Sequence, residues 1–179
     1  MNADRPVIVV LLGVSGSGKT TIGLRLAERL SWPFFDGDDF HPEQNLTKMM
    51  QHQPLTDADR EPWLDRLAEL IEASIAAGRS AVIACSALRH AYRERLARGR
   101  REVVFVYLKG CFELVRDRLA RRQGHFMPID LLPSQFETLE EPLDAIAIDI
   151  RESPEAIVEA LIPQLENPIE KRPGNKSFQ

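Results

Sequence analysis

The sequence predicts an α/β fold in which a five-stranded parallel sheet is flanked by helices on both faces. Five short apolar runs alternate along the chain with segments of helical periodicity. Such alternation is typical of parallel strands joined by crossover helices, and continuous apolar runs are typical of strands buried on both faces. The chain has 179 residues and is 44% hydrophobic, which is enough for one compact domain with a full core.

The first strand is the run PVIVVLLG, bounded by Pro6 and Gly13 and rich in β-branched residues. A helix follows it, because Ile22, Leu26 and Leu30 recur at helical spacing. The strand and the helix meet at a glycine-rich turn, which makes this turn the first candidate for a functional site.

Two helices are predicted between the second strand, WPFFDGDD, and the third, SAVIAC. The first of them, HPEQNLTKMMQHQ, opens at Pro42, because proline is favoured in the first turn of a helix. The second carries an apolar stripe from Trp63 to Ile75 and ends at Gly78. We place the preceding segment PLTDADREP, including Arg60, in the connection before that helix.

The runs EVVFVYL and AIAIDI complete the five strands, and each precedes a helical pattern. Between them, RRQGHFMPIDLLPSQFETLEEP interrupts the crossover with glycine, prolines and mixed polarity. Long loops of this kind are usually functional, so we predict an irregular, mobile lid at about residues 122–133. The single domain is predicted to span residues 1–165, and the polar tail 166–179 is predicted to be disordered.

Composition restricts the partners and the compartment. The 23 Lys+Arg and 27 Asp+Glu give a net charge of -4, which offers no general attraction to nucleic acid or to an anionic membrane. Cys85 and Cys111 each lie beside an apolar run and are predicted to be buried thiols in a reducing compartment. The first apolar run is too short to cross a bilayer, so we expect a cytoplasmic protein with a small soluble partner.

The glycine-rich turn matches the pattern G-x-x-x-x-G-K-[ST] from Gly13 to Thr20, between a predicted strand and a predicted helix. In this context backbone N–H groups point at phosphate oxygens, and the helix amino end adds partial positive charge. Lys19 is expected to reach the β- and γ-phosphates, and Thr20 to place its hydroxyl on Mg²⁺. An ordinary turn with an exposed lysine is the alternative. The predicted nucleotide-binding residues here are Gly13, Ser15, Gly16, Ser17, Gly18, Lys19, Thr20 and Thr21.

Two aspartates follow the second strand. Asp36 and Asp38 are two residues apart, so in extended backbone they share one face at the carboxyl end of the strand, where open α/β sheets bind ligands. One of them can organise Mg²⁺ through water, and the other can take a hydroxyl proton or bind a polyol. A solvated Asp-Gly turn is the alternative interpretation.

Arginines recur at positions that can converge on the same cleft. An acidic protein with arginines around a phosphate loop can neutralise an anionic substrate and the transferring group. For each arginine alone, an exposed surface position is the alternative. The candidates are Arg60, Arg89, Arg93, Arg118, Arg121 and Arg122.

The phosphate loop, DGDDFHP, LTDADREPWL, ACSALRHAYRERL, GHFMP and LLPSQFETLEEP occur in this order, and from about residue 6 to 165 the chain resembles the gluconokinase family. The resemblance implies a P-loop fold of the nucleoside-monophosphate-kinase type with a mobile lid, commonly as a homodimer. It also implies transfer of the γ-phosphoryl group of ATP to the 6-hydroxyl of D-gluconate with Mg²⁺.

Roles follow from the resemblance only for residues that match the family's motifs. The implied catalytic residues are Lys19, Asp38 and Arg122, the implied metal ligands are Thr20 and Asp36, and the implied residues toward the sugar acid are Asp38, His41, Arg60, Arg89 and His125. Arg118 is implied to bind nucleotide where the lid closes over the phosphates. Which residue acts as a general base, if any, stays open.

Two other functions remain possible on the residues alone. A shikimate kinase uses a similar sheet, paired aspartates and arginines, although the runs CSALRHAYRERL and SQFETLEEP argue against it. The second is a nucleotide-dependent regulatory module, in which ATP only switches a binding surface between two states. That module requires no acceptor pocket and tolerates the loss of Asp38.

Overall fold

A computed structural model describes residues 5–121 and 129–165. The strands of its sheet are β1 (Ile8–Leu12), β2 (Phe34–Asp36), β3 (Ala81–Ala84), β4 (Val103–Lys109) and β5 (Ile146–Asp149). Their order across the sheet is β2-β3-β1-β4-β5, and every pairing is parallel. The predicted five-stranded parallel sheet is confirmed.

The helices are α1 (Lys19–Leu30), α2 (Glu43–Met50), α3 (Asp57–Ala76), α4 (His90–Ala97), α5 (Phe112–Arg121), α6 (Leu132–Thr138) and α7 (Pro154–Leu165). Short 3-10 turns occupy Gly37–Phe40 and Ile129–Leu131. In the part of the chain that the structure describes, no helix is long and apolar enough to cross a membrane.

The core has two halves, one on each face of the sheet. Alternate residues of β1 point to opposite faces, as the period of a strand requires, and all five are fully buried. Val9 and Leu11 belong to the cluster covered by α1, α5 and α7, whereas Ile8, Val10 and Leu12 belong to the cluster covered by α3 and α4. This explains why the first run is apolar throughout rather than alternating.

Helix α3 begins earlier than predicted. The Thr56 hydroxyl accepts a hydrogen bond from the Asp59 N–H at 3.2 Å, and the Asp59 carboxylate accepts one from the Thr56 N–H at 2.8 Å. This reciprocal capping box satisfies amide donors of the first turn and starts the helix at Asp57, with Pro62 inside it. The prediction that Arg60 lies in the connection is therefore wrong, and Arg60 is held in the first helical turn.

The long insert is more regular than predicted. Its carboxyl half contains α6, and the spacing of Leu132, Phe136 and Leu139 turns one apolar face toward the core cluster that also includes Val9. Leu132 is 1% exposed, so the end of the predicted lid is packed into the fold. Because prolines are typical of irregular segments, the helical spacing of these apolar residues was not recognised in the sequence.

Other parts of the predicted lid and tail lie outside the described residues. These are residues 122–128, which include Arg122 and His125, and the tail 166–179. The prediction for the cysteines is half right, because Cys85 is buried but Cys111 is exposed. Cys111 lies after the end of β4 and just before α5. It is therefore outside the sheet and is not covered in the way that Cys85 is.

Candidate active site

The loops after the first three strands meet at the carboxyl edge of the sheet. The phosphate loop connects β1 to α1, and its Gly13 N–H donates to the Ser86 carbonyl after β3 at 3.3 Å. At the start of α1, the Thr20 hydroxyl donates to Asp36 Oδ2 at the end of β2, at 2.9 Å. The strand order places β3 and β4 on either side of β1, which puts the phosphate loop in the middle of this edge.

The phosphate loop has a backbone that only glycine adopts readily at its turning points. Gly16 has a φ of +80°, and a Cβ there would lie 2.7 Å from Leu119 on α5. Gly18 precedes α1, and no side chain caps the amino end of that helix in the described residues. The first N–H groups of α1 are thus left for an anion, as the sequence motif predicts.

Lys19 and Ser17 occupy different sides of the phosphate loop. Lys19 Nζ donates to the carbonyls of Gly13 and Val14 at 2.9 and 3.0 Å, so the amine spans the hollow of the loop. Burial lowers the pKa of Lys19, and attraction to Asp38 opposes that shift. Ser17 is fully buried, its N–H donates to the Val14 carbonyl at 3.2 Å, and its hydroxyl has no hydrogen-bond partner among the described residues.

Asp36 and Asp38 come together through a turn rather than along a strand. Asp36 ends β2, and Asp38 lies in the 3-10 turn Gly37–Phe40, with its N–H donating to Asp36 Oδ1 at 3.2 Å. The predicted extended geometry is therefore wrong, although the two residues are neighbours. A Cβ on Gly37 would overlap the Ala84 carbonyl, so glycine is required where this turn crosses β3.

A cavity of about 90 Å³, here called the Asp38 cavity, adjoins one end of the phosphate loop. The surrounding protein raises the pKa of Asp38 by partial removal from water, Lys19 opposes this shift, and Asp36 adds to it. The residues that line the cavity include Ser15, Lys19, Asp38, His41, Arg60, Trp63, Tyr92, Ser134 and Gln135.

His41 is a neutral group in the wall of the Asp38 cavity. Its ring stacks on Trp63 with centroids 4.3 Å apart, and the Asn45 amide nitrogen lies 3.2 Å from its Nδ1. Since the amide donates, the proton of the neutral imidazole is on Nε2. Burial, and secondarily the charge of Arg60, lowers the pKa of His41 to about 4. His41 is therefore a hydrogen-bonding group and not a cation near pH 7.

Arg60 and Arg89 share the carboxylate of Asp57, which is not among the predicted site residues. Arg89 Nη1 donates to Asp57 Oδ2 at 2.6 Å, and the Tyr92 hydroxyl donates to Asp57 Oδ1. Arg60 Nη1 lies 3.6 Å from the same Oδ1 and donates to the Tyr92 hydroxyl at 3.5 Å. Arg60 and Tyr92 line the Asp38 cavity, while Arg89 and Asp57 hold them from the rim.

Arg93 does not reach the Asp38 cavity, contrary to the predicted convergence. It is 4% exposed, and its Nη1 donates to the Ala87 and Leu88 carbonyls at 3.0 and 3.2 Å. Ala87 has a φ of +39°, an uncommon conformation for a residue with a Cβ. Arg93 therefore stabilises the loop after β3 through these two hydrogen bonds, and it does not line the Asp38 cavity.

A second cavity, here called the Arg118 pocket, lies at the other end of the phosphate loop. Its volume is about 260 Å³, and the Arg118 guanidinium donates to the Ile150 carbonyl beside it. Its lining combines loop residues with apolar groups of α1, α5 and α7, which suits a flat, largely apolar ligand group. The lining residues are Gly16, Gly18, Thr21, Ile22, Arg118, Leu119, Ile150, Glu152, Pro154 and Ile157.

The chain is similar to known proteins over most of its length. A family model described as shikimate kinase matches residues 15–166. A gluconokinase from Gluconobacter oxydans (strain 621H) is 45% identical over 161 residues, which are 88% of this chain and 90% of that protein. The chain belongs to the gluconokinase family.

Two solved structures extend the similarity to the gluconokinase fold. A sugar kinase from Janibacter sp. HTCC2649 has a TM-score of 0.85 and 44% identity, covering 90% of this chain and 95% of that one. A gluconokinase from Sinorhizobium meliloti 1021 has a TM-score of 0.81 and 38% identity, covering 91% and 93% respectively. The predicted P-loop kinase fold and the predicted gluconokinase family are both confirmed.

In this member of the gluconokinase family, the predicted site residues fall into separate groups. Those at the phosphate loop and the Asp38 cavity are Ser15, Lys19, Thr20, Asp36, Asp38, His41 and Arg60, while Gly16, Gly18, Thr21 and Arg118 line the Arg118 pocket. Asp57, Tyr92 and Gln135 were missed. All three lie inside quoted motifs, Gln135 in LLPSQFETLEEP, but a motif does not state which side chains meet.

Proposed function

We propose that this chain transfers the γ-phosphoryl group of ATP to the 6-hydroxyl of D-gluconate, which yields 6-phosphogluconate and ADP. The supporting observation is that the Asp38 cavity opens directly from the phosphate loop, because Ser15 and Lys19 line it together with Asp38 and Arg60. A sugar acid has a primary hydroxyl at one end and a carboxylate at the other. Asp38 suits the first group, and Arg60 suits the second.

The reaction is a displacement at phosphorus. The hydroxyl oxygen of the acceptor bonds to the γ-phosphorus while the bond to the bridging oxygen breaks, and ADP leaves. The hydroxyl proton passes to the Asp38 carboxylate, which lines the cavity and is exposed to solvent, or directly to solvent. Lys19 stabilises the charge on the transferring group, so positioning and electrostatics supply most of the rate.

The residues beside the phosphate loop fit Mg²⁺. The Thr20 hydroxyl and Asp36 Oδ2 are 2.9 Å apart, and both are hard oxygen donors of the kind that Mg²⁺ takes. Among the described residues, no cluster of three or more His, Cys, Asp or Glu could hold a metal by itself. We propose that Thr20 and Asp36 hold the ion together with the phosphates of ATP. Bound there, Mg²⁺ neutralises phosphate charge.

Initial rates of ADP formation over a small panel of acceptors test the proposal. D-gluconate should be turned over, whereas shikimate and D-glucitol, which lacks the carboxylate, should give only background rates. Shikimate is included because the matching family model is that of shikimate kinase. The Lys19→Met variant serves as the inactive control and should lose at least about a hundredfold in rate. Turnover of shikimate in preference to gluconate would overturn the assignment.

We further propose that the protein is a cytoplasmic homodimer with no nucleic-acid or membrane partner. The resemblance to the gluconokinase family supports the dimer, and the net charge of -4 argues against general attraction to polyanions. Light scattering at assay concentration measures the oligomeric state directly.

A further inference from the structure

The run SQFETLEEP, residues 134–142, has no assigned role in the proposed transfer reaction, yet it is hydrogen-bonded to two of the active-site loops. Gln135 Oε1 accepts a hydrogen bond from the Ser15 N–H at 2.6 Å, across 120 positions of sequence. Five residues later, Glu140 Oε2 accepts from the His90 N–H at 2.6 Å, and the Glu140 N–H donates to the Leu88 carbonyl at 2.9 Å. The run therefore links the phosphate loop to the loop after β3.

The position of Ser15 indicates which phosphate lies beside it. Gly16, Gly18 and Thr21 line the Arg118 pocket, whereas Ser15 and Lys19 line the Asp38 cavity. Because the acceptor must attack the γ-phosphorus from the Asp38 cavity, the γ-phosphate belongs at the Ser15 end of the loop. Gln135 lines the same cavity, so its amide lies at the boundary between the γ-phosphate and the acceptor.

The Ser15 N–H has one proton to donate, and Gln135 holds it in this structure. A γ-phosphate arriving at this end of the loop competes for the same proton with a full negative charge. A charged acceptor makes the stronger hydrogen bond, so the phosphate displaces the amide oxygen. An amide carries both an acceptor and a donor, so Gln135 can then donate from its NH₂ group without any change of ionisation.

We propose that Gln135 is a positioning residue for the γ-phosphate of ATP. Its oxygen occupies the Ser15 N–H before nucleotide binds, and its NH₂ group then orients the transferring phosphoryl group toward the acceptor. The inference rests on the proposed function, since it requires an acceptor in the Asp38 cavity. It assigns a role to α6, whose carboxyl neighbour Glu140 anchors the run against α4.

The test compares Gln135→Glu and Gln135→Met with the control Glu137→Ala, which changes an exposed residue of the same helix. Calorimetry gives the Kd of a non-hydrolysable ATP analogue and of ADP for each variant, and steady-state assays give kcat. Glutamate places a carboxylate beside the γ-phosphate, so the Kd of the analogue should rise roughly tenfold or more while that of ADP stays within about twofold. Methionine cannot donate, so kcat should fall about tenfold to a hundredfold with both Kd values within about threefold. Glu137→Ala should match the wild type.

A merely structural role for Gln135 gives a different result. Loosening of the phosphate loop would weaken ATP analogue and ADP equally in Gln135→Glu, and that outcome overturns the proposal. Wild-type kcat in Gln135→Met overturns it as well. Far-UV circular dichroism reports, independently of ligand binding, that each variant is folded. Since the two binding constants need no acceptor, they test Gln135 even if the acceptor panel excludes gluconate.

Discussion

At the scale of single residues, Arg60 and Arg89 carry the same charge but have different surroundings. The Arg60 side chain is 23% exposed and lines the Asp38 cavity, whereas that of Arg89 is 41% exposed and is paired with Asp57 at the rim. Removing the partner of a partly buried carboxylate costs about 2 to 5 kcal/mol, but exposed ion pairs contribute about 1 kcal/mol or less. The resemblance implies the same role for both residues, but because Arg60 is more buried we expect it to contribute more to acceptor binding than Arg89.

Steady-state kinetics of two alanine variants measures this difference. Arg60→Ala should raise the KM for gluconate by at least about thirtyfold, and Arg89→Ala by less than about tenfold. The KM for ATP, measured in the same samples, should change little in either variant because neither side chain touches the phosphate loop. An effect of Arg89→Ala equal to that of Arg60→Ala would show that the rim arginine binds the acceptor directly.

At the scale of elements, the 3-10 turn Gly37–Phe40 determines where Asp38 lies. The turn is pressed against β3 at Gly37, and the Trp63 indole N–H donates to the Gly37 carbonyl at 2.7 Å. A side chain at this position would collide with the backbone carbonyl of Ala84, which cannot move without disturbing the sheet. The turn would have to shift away from β3, and Asp38 would shift with it.

Gly37→Ala should therefore lower both stability and activity. Overpacking of this kind costs about 1 to 3 kcal/mol, which urea unfolding measures, and kcat for gluconate should fall at least about tenfold. Asp39→Ala, an exposed change in the same turn, is the matched control and should keep both values. Normal activity in Gly37→Ala would mean that Asp38 does not depend on this contact.

At the scale of the whole molecule, His41 couples stability to pH. Its pKa is about 4 in the folded chain, against 6.5 for an ordinary histidine, so the unfolded chain binds the proton more tightly. Stability is thus full above pH 6.5 and falls as the pH drops toward 4. From these two values, His41 alone should remove about 2 kcal/mol from the free energy of unfolding between pH 7.5 and pH 5.

Urea unfolding of the wild type and of His41→Gln at both pH values measures this contribution. The substitution removes the titrating group, so the loss of stability on acidification should be smaller in the variant by about 2 kcal/mol. Other titrating groups contribute to both proteins and cancel in the comparison. Equal losses in the two proteins would show that folding does not lower the pKa of His41.

What the sequence by itself determined is local. The order of strands and helices follows from apolar periods of a few residues, and the phosphate loop follows from eight consecutive positions between Gly13 and Thr20. The sequence also predicted that Asp36 and Asp38 lie close together, but it predicted an extended backbone between them. A turn joins them instead, and this turn depends on packing against β3, which the local sequence does not show.

Tertiary structure decided the order of the strands across the sheet, and it decided which side chains that are distant in sequence come into contact. Asp57 contacts Arg89 and Tyr92 across 32 and 35 positions, and Gln135 reaches Ser15 across 120. The energy of such contacts depends on distances that the whole fold sets, whereas periodicity reports only neighbours along the chain. For this reason the phosphate loop could be identified from its own residues, but the walls of the Asp38 cavity could not.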